Sequence, residues 1–244
     1  MGKSIEAVAD GIYRIGEFWP QYGITVNQFL IVDERPALIH TGTHPMYEGI
    51  RKAVAQIIDP AKLAYVIVPH FEADECGGMG RFVREAPQAT LVCSEVGAGI
   101  NLSGWDYSGP VQGARDGTAI ELGRHRLRFL ETPHVHHWDS MMVFEETTAS
   151  LFPADLFIQP GDQPHLVRED LGREMCALYR EVGIFAAEKP VLQCVDRLER
   201  LKPKRVHPMH GGSLDDQTLS RFIRALRTNP FAYEGKVFGR NLPT

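Results

Sequence analysis

The sequence predicts a layered α/β fold made of two similar halves packed face to face. Three observations carry that prediction. Strand-like and helix-like blocks run through the chain twice, no Pro- or Ser-rich linker separates the two runs, and 43% hydrophobic content over 244 residues is enough to bury a large core. No close sequence repeat accompanies the duplication, so the halves match in pattern only.

In the first run, residues 11–15, 27–32 and 36–40 read as strands, with Asp33-Glu34-Arg35 as the hairpin turn before the third. A helix covers residues 46–58, because Ile50, Val54 and Ile57 recur at helical spacing and Asp59-Pro60 stops it. The apolar run 63–68 is a buried strand, and a helix starting near Cys76 runs toward Glu85 before Pro87 ends it. Residues 91–93 form a short strand. Residues 97–117, rich in Gly, Asp and Ser, are expected to be a long irregular connection of the kind that carries function or motion.

The pattern then restarts with strands at 118–122, 126–130, 140–144 and 150–152, followed by helices at 173–187 and 189–201. Residues 206–210 read as a final strand feeding Gly211-Gly212. Residues 215–228 close the chain as an amphipathic helix with Leu219, Phe222, Ile223 and Leu226 inward. No strand ends in GxGxxG or a Walker lysine motif, which argues against a doubly wound nucleotide-binding fold. The glycines of Cys76-Gly77-Gly78-Met79-Gly80 point to close backbone approach rather than an anion nest.

A net charge of −5 argues against a nucleic-acid surface. The one dense basic stretch, 197–205, is interrupted by Glu199 and Pro203 and reads as a solvated helix end. The N-terminus carries Glu6 and Asp10 where a signal peptide needs an apolar core, and no stretch is long enough to span a bilayer, so the expected location is the cytoplasm without membrane association. Gly2 and Ser4 alone do not make a myristoylation signal. Cys76, Cys93, Cys176 and Cys194 form no CxxC pair, which suggests buried thiols rather than a zinc ribbon or a disulfide framework.

The chemistry concentrates in Pro69-His70-Phe71-Glu72-Ala73-Asp74-Glu75, directly after the buried strand. A tight loop there can aim His70, Glu72 and Asp74 at one point. One imidazole with two carboxylates is an oxygen-rich donor set that suits iron or manganese better than a structural zinc site. Other strand ends add His136 in Thr132-Pro133-His134-Val135-His136-His137-Trp138-Asp139-Ser140, then Asp155 after an apolar strand, then His210 before two glycines. An acid placed like Asp155 needs a cation or a cap.

The order His-x-Glu-x-Asp, a distant His before Asp139-Ser140-Met141, then Leu151-Phe152-Pro153-Ala154-Asp155, then His210-Gly211 resembles the metallo-β-lactamase fold, specifically its flavodiiron or oxygen-binding diiron branch. With Asn27-Gln28-Phe29-Leu30-Ile31-Val32 in the N-terminal hairpin, the likeness covers nearly the whole chain. It implies an αββα four-layer sandwich, one metallo-β-lactamase-like domain over residues 1–244, and no flavodoxin or rubredoxin domain. It implies two irons, with zinc or manganese as substitutes and no FMN. His70, Glu72 and His136 would hold one iron, Asp74 and His210 the other, and Asp155 would bridge them.

Two positions depart from the family pattern. Glu75 stands where the family usually has a histidine ligand, leaving the second iron with an extra carboxylate, a water or an open position. His40 stands where the fold commonly has an Asp that orients a ligand. His134 and His137 are expected behind the ligands or in the pocket. The resemblance implies an oxidoreductase that reduces O2 or NO with electrons from a rubredoxin or flavoprotein, or an oxygen sensor, in a homodimer. The alternative is a metal-dependent hydrolase using a bridging hydroxide, whose usual His-x-His-x-Asp-His motif is missing at Glu72 and Glu75.

Overall fold

In the computed structural model, which describes residues 3–241, the period-two alternation of the strands sorts apolar side chains onto two sheets. Residues 1–2, including the Gly2 of the myristoylation reading, and 242–244 lie outside the described residues. The first sheet runs in chain order through β1 (Ser4–Ala9), β2 (Ile12–Trp19), β3 (Ile24–Ile31), β4 (Ala37–Ile39), β5 (Tyr65–Ile67), β6 (Thr90–Ser94) and β7 (Val111–Ala114). Its first four strands are antiparallel neighbours and the last four are parallel. The second sheet is built from β8 (Ala119–Glu121), β9 (Arg126–Glu131), β10 (Met141–Glu145), β11 (Ser150–Phe152), β12 (Arg205–Val206) and β13 (Leu214–Asp215), with β11 and β12 parallel.

Alternation decides the layers. On β3 and β5, Phe29, Ile31, Tyr65 and Ile67 face Phe129, Met141, Val143 and Phe152 of the other sheet, forming the central core. Their neighbours Leu30 and Val66 point the opposite way, onto α1 (Tyr47–Val54) and α3 (Met79–Glu85), which present Ile50, Val54, Met79 and Phe82. The second sheet turns Leu130, Met142, Leu151 and Val206 onto α5 (Gly172–Val182), α6 (Glu188–Leu201) and α7 (Asp216–Thr228). Helix, sheet, sheet, helix is the four-layer αββα sandwich of two similar halves that the sequence predicts. Among the described residues, no helix is long and apolar enough to cross a membrane.

Several boundaries differ from expectation. β1 is an additional edge strand, and a small hairpin, β14 (Lys236–Val237) with β15 (Arg240–Asn241), follows the last helix. The helix expected from Cys76 is split into α2 (Ala73–Cys76) and α3, because Gly77 and Gly78 press against residues 41–44. A Cβ on Gly77 would lie 2.7 Å from the His44 nitrogen, and one on Gly78 would lie 2.5 Å from the Thr41 oxygen. The connection over 97–117 is partly ordered: α4 (Glu95–Gly99), a 3₁₀ turn at Asn101–Gly104 and edge strand β7. The strand expected over 206–210 ends at Val206, where the chain leaves the sheet to carry His210.

A candidate two-metal centre

All the motif residues emerge at one end of the sandwich. His40 follows β4 and His70 follows β5, two parallel neighbours in which Ile39 is level with Ile67. His136 and His137 lie in the β9–β10 connection, Asp155 follows β11, and His210 follows β12. Hydrogen bonds join these loops: across the two sheets Met141 N–H donates to Pro69 O at 3.0 Å, and within the second sheet Met209 N–H donates to Ala154 O at 3.0 Å. The Phe71 N–H donates to the buried Asp139 carboxylate at 3.2 Å, fixing the motif loop to the β9–β10 connection.

Six side chains converge. Asp155 lies between two groups, its Oδ2 3.0 Å from His136 Nε2 and 3.4 Å from His70 Nε2, and its Oδ1 3.4 Å from His210 Nε2. Glu72 Oε2 joins the first group at 3.0 Å from His136 Nε2 and 3.3 Å from His70 Nε2. Asp74 Oδ2 joins the second, 3.2 Å from His210 Nε2. His210 donates from Nδ1 to the Thr25 carbonyl at 3.1 Å, which turns Nε2 toward the carboxylates as the atom available to a cation. Asn27 braces the same loop by donating to Pro208 O at 3.0 Å and Gly211 O at 2.7 Å.

The electrostatics are those of a cation site. Burial opposes charge on His136 and His210, but the facing carboxylates outweigh it and raise both imidazoles to about 9. Hydrogen bonds from His136 and His70 hold Glu72 down to about 2. Burial disfavours the Asp155 carboxylate, yet His136, His70 and His210 hold it well below the usual range. Imidazoles facing carboxylates in this way carry protons that a metal ion replaces when it binds. The buried Asp155 Oδ1 has no hydrogen-bond partner, as expected of an oxygen reserved for a cation. This donor set of three imidazoles and three carboxylates fits two hard-to-borderline cations such as iron.

The remaining expected residues fall into place unevenly. His137 is half-buried beside the first group, its Nε2 3.9 Å from Glu72 Oε2, and its ring packs 4.8 Å from His70. With Phe71, Asn101, Trp105 and Trp138 it lines an open cavity of about 460 Å³ beside the centre. His134 is not brought to the site: it is exposed, with φ 65°, and its N–H donates to His137 O to turn the loop. His40 and Glu75, the two departures from the family pattern, touch each other: His40 Nδ1 contacts Glu75 Oε2, both fully buried. The other Glu75 oxygen lies 3.6 Å from His70 Nδ1, and Glu75, His70 and Asp155 have ligand-capable atoms within 4.8 Å of one another.

Two contributors carried no clear mark in the sequence. Asp139 read only as part of a motif match. Tyr179, in the middle of α5, accepts from the Phe157 and Ile158 N–H groups at 2.6 and 3.0 Å and donates to the Asp155 carbonyl at 3.3 Å. Tyr179 sits on an apolar helix face and looks like packing until the turn after Asp155 is placed above it.

Comparison with known proteins gives relatives and solved structures of the same fold. A nitric oxide reductase of Moorella thermoacetica is 32% identical over 63% of this chain and 42% of its own length. Putative diflavin flavoprotein A 1 of Thermosynechococcus vestitus is 29% identical over 86% of this chain and 38% of its own. The chain therefore spans about two fifths of these relatives. Among solved structures, rubredoxin oxygen:oxidoreductase from Desulfovibrio gigas matches with TM-score 0.83 at 21% identity, covering 93% of this chain and 62% of that one. A metal-soaked flavodiiron core from Synechocystis matches with TM-score 0.81 at 23% identity, covering 93% and 61%. At such identities the structural likeness speaks for the fold. The model of the family described as ODP family beta lactamase matches residues 24–211, most of the chain, and the chain belongs to that family.

Proposed function

We propose that this chain is a non-heme diiron protein that binds and reduces O2 or NO, taking electrons from a separate donor such as a rubredoxin or flavoprotein. The observation that carries the reading is the attitude of Asp155, whose two oxygens face two different donor groups, as suits a carboxylate shared by two cations. In this assignment His70, Glu72 and His136 hold one iron, Asp74 and His210 hold the other, and Asp155 serves both. Relatives named for nitric oxide reduction and rubredoxin-linked oxygen reduction support the substrate class.

Two ferrous ions, when bound, supply electrons to a diatomic ligand and stabilise the charge that develops on it. The chain's own part is placement and charge. Glu72, Asp74 and Asp155 favour the oxidised pair over the reduced one by their negative charge. The Thr25 carbonyl holds His210 in the tautomer that offers Nε2, and Tyr179 holds the turn that aims Asp155. Phe71, Trp105 and Trp138 give the adjoining cavity an aromatic wall beside the polar Asn101 and His137, room enough for a small uncharged gas.

Oxygen consumption by the iron-loaded protein with a chemical reductant tests the proposal. Many O2 or NO molecules consumed per centre are expected. A single equivalent bound and held would instead make the chain an oxygen sensor. Two zincs with ester, lactam or thioester cleavage would make it a hydrolase.

A further inference from the structure

The pair His40–Glu75 is the least explained feature of the centre. Glu75 is fully buried on α2, between the motif's Asp74 and the helix interior, and its Oε2 is taken by His40 Nδ1. His40 adopts φ 63°, a left-handed backbone that a non-glycine residue keeps only where the surroundings fix it. The surroundings do: Thr41 N–H and Oγ1 both donate to the Glu75 carbonyl, at 2.8 and 3.0 Å, tying the end of β4 to α2. The free Glu75 oxygen, Oε1, faces His70 Nδ1 at 3.6 Å, just beyond hydrogen-bond length. Both atoms are buried and neither has another partner. Two orphaned polar atoms facing each other in a dry interior gain by pairing.

We infer that Glu75 is a positioning residue rather than a metal ligand: gripped by His40, it receives the Nδ1–H of His70 and so directs the His70 Nε2 lone pair at the metal. The inference rests on the two-metal reading above and gives it an asymmetry. The His70 side of the centre has four protein ligands including Asp155, whereas the Asp74–His210 side has three. The Asp74–His210 position therefore holds its ion less tightly and keeps more of its coordination sphere for solvent or a small ligand.

The test is anaerobic equilibrium dialysis of the metal-stripped full chain against graded ferrous ion, with bound iron per chain measured for wild type, Glu75→Ala, Glu75→Gln and Asp74→Asn. Wild type takes up two ions in two resolved steps, and Asp74→Asn abolishes the weaker one. Glu75→Ala weakens the tighter step by about 10- to 100-fold, the range for losing a partner behind a metal-bound histidine, and leaves the weaker step unchanged. Glu75→Gln, whose amide oxygen still accepts from Nδ1–H, falls between the two, and it shifts the downfield Nδ1–H proton signal of His70 in the zinc-loaded protein. If Glu75→Ala does not fold, Glu75→Gln decides by the same criterion. Selective loss of the weaker step, or no change in either, overturns the positioning role while leaving two ions in wild type and the two-metal reading intact. One ion or none in wild type overturns that reading and the inference together.

Discussion

Replacing Tyr179 by phenylalanine isolates one hydroxyl and shows how far the centre depends on a residue outside it. The ring packs edge-on to Phe185 at 4.8 Å between centroids, and phenylalanine keeps that contact, so no large cavity opens. What is lost is the acceptor for two backbone N–H groups, Phe157 and Ile158, and the donor to the Asp155 carbonyl. A buried donor left unpaired costs about 1–3 kcal/mol, so two cost about 2–6 kcal/mol. Against a total stability of about 5–15 kcal/mol that is a large loss. Urea unfolding measures it: the midpoint falls and the slope stays constant, because the surface exposed on unfolding is unchanged. The same variant retains less iron, since the turn bearing Asp155 has lost its anchor. A midpoint within about 0.5 kcal/mol of wild type, the range of an ordinary surface change, would show that the donors find other acceptors and refute the reasoning.

Burial lowers His207 to about 3, with Arg205 and Arg14 adding to the effect, so the fold holds it neutral between the Ser213 and Ser150 hydroxyls. A folded pKa below the ordinary 6.5 means the contribution is complete above pH 6.5 and is lost as pH falls toward 3, at up to about 1.4 kcal/mol per pH unit. His207→Gln removes that part of the acid slope in urea midpoints taken from pH 7 to 4; equal slopes would contradict it. Gly78→Ala sets a Cβ 2.5 Å from the Thr41 oxygen and lowers stability by about 1–3 kcal/mol. Gly99→Ala, with nothing within 4 Å, serves as the thermal-melt control, and equal behaviour of the two would show that residues 41–44 relax freely.

How much the sequence reveals follows from how each element is buried. β3, β5 and the helices of the second half carry dense apolar patterns because both faces or one broad stripe are covered, and they are legible. β1 and β7 are edge strands, with sequences SIEAVA and VQGA and largely unburied side chains, so little in them demands a sheet. His70 and Asp155 are legible because each closes an apolar run, where a polar residue needs a reason, and Glu72, Asp74, His136 and His210 are legible through their motif spacing. His134 and His136 share one short segment, and the motif spacing already assigns the ligand to His136, while the turn geometry is what leaves His134 exposed. The contact between His40 and Glu75 is invisible in sequence, since they are 35 positions apart and each alone reads as an unrelated departure.

The central claim is that Asp155 is shared between two irons, and metal content per chain tests it most directly. Protein purified without added zinc should carry two irons, and Asp155→Ala should carry at most one while remaining folded. Two zincs with no iron in wild type, or two irons retained by Asp155→Ala, would contradict the account.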